Sequence, residues 1–106
     1  MRFIGNNDIA VSAESVCKAT SFYEDTLGLK LLKEEPKIRV YDTGGFTLYV
    51  QHGEPHPPIP SFIVRNLHKA KNHLVENGCT ILVERERSIY FRDPSGVVWD
   101  IIEANT

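Results

Sequence analysis

Residues 8–13 alternate between faces, with Ile9, Val11 and Ala13 on one side and Asp8, Ala10 and Ser12 on the other. A period of two is that of a half-buried strand. From Ser15 the apolar spacing changes, and Val16, Ala19, Phe22, Tyr23 and Leu27 form a single stripe, which predicts a helix. Ser12 or Ser15 can accept from the orphan amides at its start, and Gly28 supplies a left-handed residue to end it. Strands are predicted at 29–34, 38–41 and 46–51, with a turn at 42–45. The same order then returns: strand 61–64, helix 66–77 stopped by Gly78, strands 79–84 and 88–91, turn 93–96, and strand 97–103. Each half of the chain reads β-α-β-β-β.

The repetition extends to individual residues. Asp42 and Gly45 recur as Asp93 and Gly96, at an offset of 51, and Val16, Lys18 and Ala19 recur as Leu67, Lys69 and Ala70 at the same offset. With one residue deleted before the glycine, Gly28 falls on Gly78 and LKLLKE (29–34) falls on CTILVE (79–84). Such a chain is one supersecondary unit written twice. Between the copies, HGEPHPPIP (52–60) holds four prolines, which remove four amide donors and keep the backbone extended. It is expected to be a stiff connector. The chain is therefore a single domain over 1–106, with a first module at about 3–51, the connector at 52–60 and a second module at about 61–104. A module of about 50 residues cannot bury both faces of a four-stranded sheet, so the two are expected to share a core or to pair with a second chain.

Composition narrows the class only slightly. The apolar share of 42% and charged share of 25% are those of a soluble globular protein. A net charge of −2 gives no reason to expect nucleic acid or an anionic membrane as a partner. No apolar run approaches the ~20 residues of a membrane span, and the first ten residues lack a signal-peptide pattern. Cys17 and Cys79 then read as reduced thiols in a cytoplasmic protein, and neither has a Cys-x-x-Cys neighbour.

FYEDTLGLKLL (22–32) and FRDPSGVVWDIIE (91–103) carry a resemblance. The helix end "FY-x-x-x-LG" and the turn "F-x-DP-x-G" before an apolar strand ending in an acid resemble the vicinal-oxygen-chelate superfamily. That group includes glyoxalase I, extradiol dioxygenases, and the fosfomycin and bleomycin resistance proteins. The resemblance runs from about Ile9 to Glu103. It implies an α+β fold of two βαβββ modules, forming a curved mixed sheet around a cavity with the helices outside. It also implies a homodimer, with modules side by side or exchanged.

Alternation assigns residues to that cavity, since the more apolar side of each strand should meet its helix. Ile9, Val11, Phe46, Leu48, Val50, Phe62, Val64, Trp99 and Ile101 then pack against the helices. Asp8, Ala10 and Ser12, then Thr47, Tyr49 and Gln51, then Ile59, Ser61 and Ile63, then Val98, Asp100 and Ile102 face inward. The candidate ligand-binding set is Asp8, Ser12, Thr47, Tyr49, Gln51, Ser61, Ile63, Val98, Asp100 and Ile102. An aliphatic wall with one phenol, a few hydroxyls and two carboxylates suits a partly apolar organic molecule.

Superfamily chemistry turns on a divalent metal held by inward residues of the first, fourth, fifth and eighth strands. Carried over by resemblance, those positions are Asp8, Tyr49, Ile59 and Asp100, a departure from the usual imidazole and carboxylate set. Isoleucine cannot ligate and a neutral phenol is an uncommon ligand. A hard cation could use Asp8 and Asp100, and a slipped register could add His52 or His56. His68 and His73 read as surface residues of the second helix. Asp100, mid-strand between Trp99 and Ile101, must find a partner, and the candidates are a metal, a ligand amine, Arg39 or Arg92. Without a metal it is also a candidate general acid or base.

The expected function is metal-free binding or sequestration of a small organic compound of the bleomycin-resistance type, the compound being cationic or amphipathic. The alternative is a divalent-metal-dependent lyase, isomerase or dioxygenase of the glyoxalase type. A third reading makes the domain a dimerisation module.

Overall fold

The structure, a computed structural model, describes residues 1–104, so the last two residues of the single-domain assignment lie outside the described residues. The elements are β1 (Ile4–Ala13), α1 (Val16–Thr20) continuing as a π-helical segment (Ser21–Thr26), β2 (Lys30–Glu35), β3 (Ile38–Asp42) and β4 (Thr47–His52). The second series is β5 (His56–Val64), α2 (Leu67–Glu76), β6 (Thr80–Glu84), β7 (Ser88–Arg92) and β8 (Val98–Glu103). The chain has the α+β fold of two βαβββ modules that its hydrophobic pattern predicts. It divides into two compact units, one of Asn7–Pro58 and one of Met1–Asn6 with the chain from Ile59 onward. The division within β1 coincides with Asn7, whose φ of 61° lies in the left-handed region that asparagine tolerates.

In the first unit β1 runs parallel to β4, β4 antiparallel to β3, and β3 antiparallel to β2. In the second, β5 runs parallel to β8, β8 antiparallel to β7, and β7 antiparallel to β6. The outer hairpins carry matching irregularities, between Leu31 and Lys33 in one and between Ile81 and Val83 in the other. The first helix starts on Ser15, one of the two expected candidates, and Asn66, read from sequence as the first residue of the second helix, is instead its cap. Ser15 accepts from the Lys18 amide at 3.3 Å, and Asn66 accepts from the Lys69 amide at 2.9 Å. Gly28 (φ 67°) and Gly78 (φ 90°) follow them in the left-handed conformation, where a Cβ would be strained.

The residue that must be deleted to align the two helices has a physical counterpart. One extra residue in a helix is absorbed by widening a turn from i→i−4 to i→i−5 bonding. Ser21–Thr26 is π-helical, and the Leu27 amide bonds the Phe22 carbonyl at 3.0 Å. A second one-residue difference lies in the β3–β4 and β7–β8 turns. Asp42 pairs with Thr47 in the first, whereas Arg92 pairs with Val98 in the second. The longer turn restores the original offset at the last strand. It also moves Thr43 into the place of Asp93, since the Thr43 amide bonds Phe46 O as the Asp93 amide bonds Val97 O.

Each helix packs on one face of its own sheet. Val64, Leu67, Ala70, Leu74, Ile89, Phe91 and Ile101 form the buried cluster of the second unit, with Phe62 and Trp99 against it. Tyr41, Leu48 and Val50 form that of the first, joined by half-buried Ile9, Val11, Ala19 and Tyr23. These are the helix-facing positions that alternation assigns, with one correction. Phe46 is not among them, because it lies in the turn before β4, where its backbone bonds to Thr43 leave its ring exposed.

The connector is a second correction. Residues 56–60 belong to strand β5, so only 53–55 separate β4 from β5. Proline suits extended backbone and forbids only the donation of a ladder bond. Consistent with that, β5 pairs with β8 from Ser61 onward, beyond Pro57, Pro58 and Pro60.

Candidate functional site

Among the described residues, six buried side chains stand outside both core clusters: Ala10, Val40, Ile59, Ser61, Tyr90 and Asp100. All are on the sheet faces turned away from the helices, as the strand register requires. The chemistry-bearing residues group on these faces and are described unit by unit.

In the second unit a row runs across three strands. Ser61 of β5 pairs with Asp100 of β8, which pairs with Tyr90 of β7. Asp100 is 5% exposed and Tyr90 9%. The Ser61 hydroxyl donates to Asp100 Oδ2 at 3.0 Å. Burial raises the Tyr90 phenol, the Asp100 carboxylate raises it further, and Arg85 works in the opposite direction. The Arg85 guanidinium lies over the Tyr90 ring, 4.7 Å from its centroid. A carboxylate buried in an apolar strand needs hydrogen-bond donors around it. Ser61 is one such donor, and it was not among the expected partners. Arg39 instead pairs with Glu34 at 3.2 Å, and Arg92 is exposed. Ile63 and Ile102 sit on either side of the β5–β8 pairing, with Ile63 38% exposed, and Val98 is half-buried.

In the first unit, paired residues of β1 and β4 share the face. Asp8 is beside Thr47, Ala10 beside Tyr49, and Ser12 beside Gln51. Burial raises the Asp8 carboxyl. Burial also raises the Tyr49 phenol, the Asp8 charge raises it further, and Lys33 lowers it. Tyr49 is therefore a neutral phenol at physiological pH. Ser12 Oγ lies 2.9 Å from His56 Nε2, and His56 Nδ1 lies 2.8 Å from the Pro57 carbonyl. A cleft of about 500 Å³ is lined by Glu35, Pro36, Lys37, Ile38, Gln51 and His52.

Taken one by one, residues at the superfamily's ligand positions fit a metal poorly. Ile59 is buried hydrocarbon, Tyr49 is a protonated phenol, and Asp100 already accepts from Ser61. His52 is exposed at the end of β4, and both ring nitrogens of His56 are engaged within hydrogen-bonding distance. Among the described residues no three His, Cys, Asp or Glu side chains come together around a common point. His68 and His73 are exposed on α2, as expected.

Sequence reasoning missed Tyr90, Arg85 and the Ser12–His56 pair. Tyr90 was legible in principle, because it is the one polar tip between Ile89 and Phe91 and sits opposite Asp100 once the hairpin register is drawn. Arg85 and His56 depend on turn geometry and on the true start of β5, which periodicity does not report.

A model of the Glyoxalase/Bleomycin resistance protein/Dioxygenase superfamily matches residues 6–101. A hypothetical protein from Bacillus halodurans is similar in structure, with a TM-score of 0.69 and 18% identity over 94% of each chain. Homoprotocatechuate 2,3-dioxygenase from Brevibacterium fuscum, in complex with 3,4-dihydroxyphenylacetate, has a TM-score of 0.69 and 18% identity over 98% of this chain. This chain spans 37% of that dioxygenase's length.

Proposed function

We propose that this chain, which belongs to the Glyoxalase/Bleomycin resistance protein/Dioxygenase superfamily, binds a small organic cation without the divalent metal used elsewhere in that superfamily. The observation that carries the reading is the row Ser61–Asp100–Tyr90, with the Arg85 guanidinium stacked on the phenol ring. A cation over an aromatic face is attracted by the ring quadrupole, by about 2 kcal/mol when desolvated. A buried carboxylate beside that ring adds a charge of the right sign, and the Ser61 hydroxyl fixes its orientation. The Arg85 guanidinium shows that this ring takes a planar cation on its face, the place a ligand cation would enter by displacing it. Sequestration needs nothing more than this face and an apolar surround. The alternative of metal-dependent lyase, isomerase or dioxygenase chemistry has a different requirement, a donor set that Ile59 and Tyr49 do not supply.

Benzyltrimethylammonium is a suitable probe, followed by NMR on the intact protein. Dose-dependent shifts are expected at Ser61, Tyr90 and Asp100, and they should vanish in Asp100→Asn. Shifts of equal size in that variant, or none at these residues, would refute the cation site. Titration of Ni, Zn, Mn and Fe by calorimetry, with elemental analysis of the purified protein, tests the metal-free part. Binding of any of them tighter than about millimolar through Asp8 or Asp100 would reverse it.

A further inference from the structure

The Ser12–His56 pair is used by neither the fold nor the cation-binding face. Ser12 is a half-buried residue of β1, and His56 is the half-buried first residue of β5. The Pro57 carbonyl can only accept, so at 2.8 Å it fixes the proton of neutral His56 on Nδ1. Nε2 then carries the lone pair, and it lies 2.9 Å from Ser12 Oγ. The imidazole is thus held in the tautomer that accepts the serine proton. A hydroxyl, a base within hydrogen-bond reach and a third group orienting the base are the elements of an activated nucleophile.

Two neighbours complete the arrangement. Gln51 pairs with Ser12 across β1 and β4, and its amide is a neutral donor on the same face. Gln51 also lines the cleft of about 500 Å³, together with Glu35, Pro36, Lys37, Ile38 and His52. The cleft thus begins at the residue paired with Ser12.

We infer that Ser12 and His56 form an acyl-transfer site that takes small activated carboxylic esters, with Gln51 as the donor to the carbonyl oxygen. Ser12 Oγ attacks the carbonyl carbon while its proton passes to His56 Nε2, and the carbonyl electron pair moves onto oxygen. When that pair returns, the bond to the leaving alkoxide breaks, and the alkoxide takes the proton from Nε2. Water then attacks the acyl-serine with His56 again accepting a proton. The carboxylic acid leaves, and Ser12 regains its hydrogen. The net reaction consumes one ester and one water and yields one acid and one alcohol.

The test uses a fluorophosphonate probe, which phosphonylates an activated serine and releases fluoride, with intact-mass and peptide mass spectrometry of the whole protein. One adduct is expected, on Ser12. Labelling should disappear in Ser12→Ala, slow about 100-fold or more in His56→Gln, and slow roughly 10-fold in Gln51→Ala. Hydrolysis of 4-nitrophenyl acetate should follow the same order. Circular dichroism of each variant separates lost labelling from lost folding, and if Ser12→Ala fails to fold, the His56→Gln rate decides. No adduct on the folded wild-type protein, an adduct at another residue alone, or undiminished labelling of His56→Gln would overturn the assignment. None of these outcomes depends on the cation-binding face.

Discussion

The two modules have the same strand order but differently filled cores. Counterparts follow from the register, and the second module is apolar at each. Phe91 stands where the first has Tyr41, Ile89 where it has Arg39, Val64 where it has Ala13, and Ile101 where it has Val50. Helix α2 buries Leu67, Ala70 and Leu74, whereas α1 and its π-helical continuation bury no residue fully. In their place the first module uses polar links. The Tyr41 hydroxyl, on a fully buried side chain, donates to Glu24 Oε2 at 2.9 Å, and Arg39 pairs with Glu34 at 3.2 Å. Duplication has preserved what fixes register and relaxed what only fills volume. Stability should therefore be concentrated in the second module.

The most severe way to break this contrast is to open the stronger core. Ile101→Ala should lower the unfolding free energy by about 2–5 kcal/mol. Its counterpart Val50→Ala should cost roughly 1–3 kcal/mol, since fewer methyl groups are lost and the surround is less closely filled. Urea unfolding of both variants decides, and equal losses would erase the contrast.

The polar link of the first module comes next. Glu24→Leu removes the carboxylate acceptor of the buried Tyr41 hydroxyl, leaving Thr20 as its neighbour, and should cost about 1–3 kcal/mol. The double variant Glu24→Leu/Tyr41→Phe replaces the link by apolar groups, with phenylalanine as at Phe91, and should recover most of that loss. Recovery measured by thermal unfolding would show that the link is a tolerated substitute for apolar packing. A double variant as unstable as Glu24→Leu would show that the π-helical segment depends on it.

A smaller effect separates the caps. Asn66→Ala and Ser15→Ala should each cost about 1 kcal/mol. Asn66 should cost the more, as its bond is shorter and the helix it starts carries more of the core. A greater loss for Ser15→Ala would reverse the ranking of the helices.

The smallest effect belongs to acid. The Trp99 indole N–H, at 3.0 Å, and the Val97 and Ser95 amides hold the Asp93 carboxyl below the ordinary carboxylate range. A group depressed in the folded state stabilises above its unfolded value, and that contribution is lost as pH falls through the folded value. Asp93→Asn should therefore lower Tm near pH 7, with the difference from wild type closing as pH falls below the ordinary aspartate value of about 3.9. A Tm difference independent of pH would detach the effect from ionisation.

Much of this was readable from residue order. The helix-facing residues Ile9, Val11, Leu48, Val50, Trp99 and Ile101 followed from alternation alone, because a period of two leaves no choice of face. The cap Ser15, as one of two candidates, and the closing glycines followed from residue type, whereas Asn66 was read as helical and proves to be a cap. The π-helical segment left only a one-residue mismatch as its trace. Prolines at 57, 58 and 60 disguised half of β5, because the rule that excludes them from a ladder does not exclude them from extended chain. Ser61 as the partner of Asp100 needed cross-strand register, which becomes visible only once β5 and β8 are set side by side.

The irregularities in the outer hairpins bear on how the protein behaves in crowded solution. Strands β2 and β6 each hydrogen-bond a single neighbour, leaving one backbone edge without a ladder partner. They also expose Leu32, Leu82 and Val83, the combination from which strand-by-strand polymerisation starts. A kink at Leu31/Lys33 and at Ile81/Val83 twists each edge out of the flat geometry an incoming strand would need. The Lys33–Glu35 and Lys71–Glu84 ion pairs set charge along the same margins. Two copies of one local defect thus act as a guard against aggregation, kept at the same place in each half of the chain.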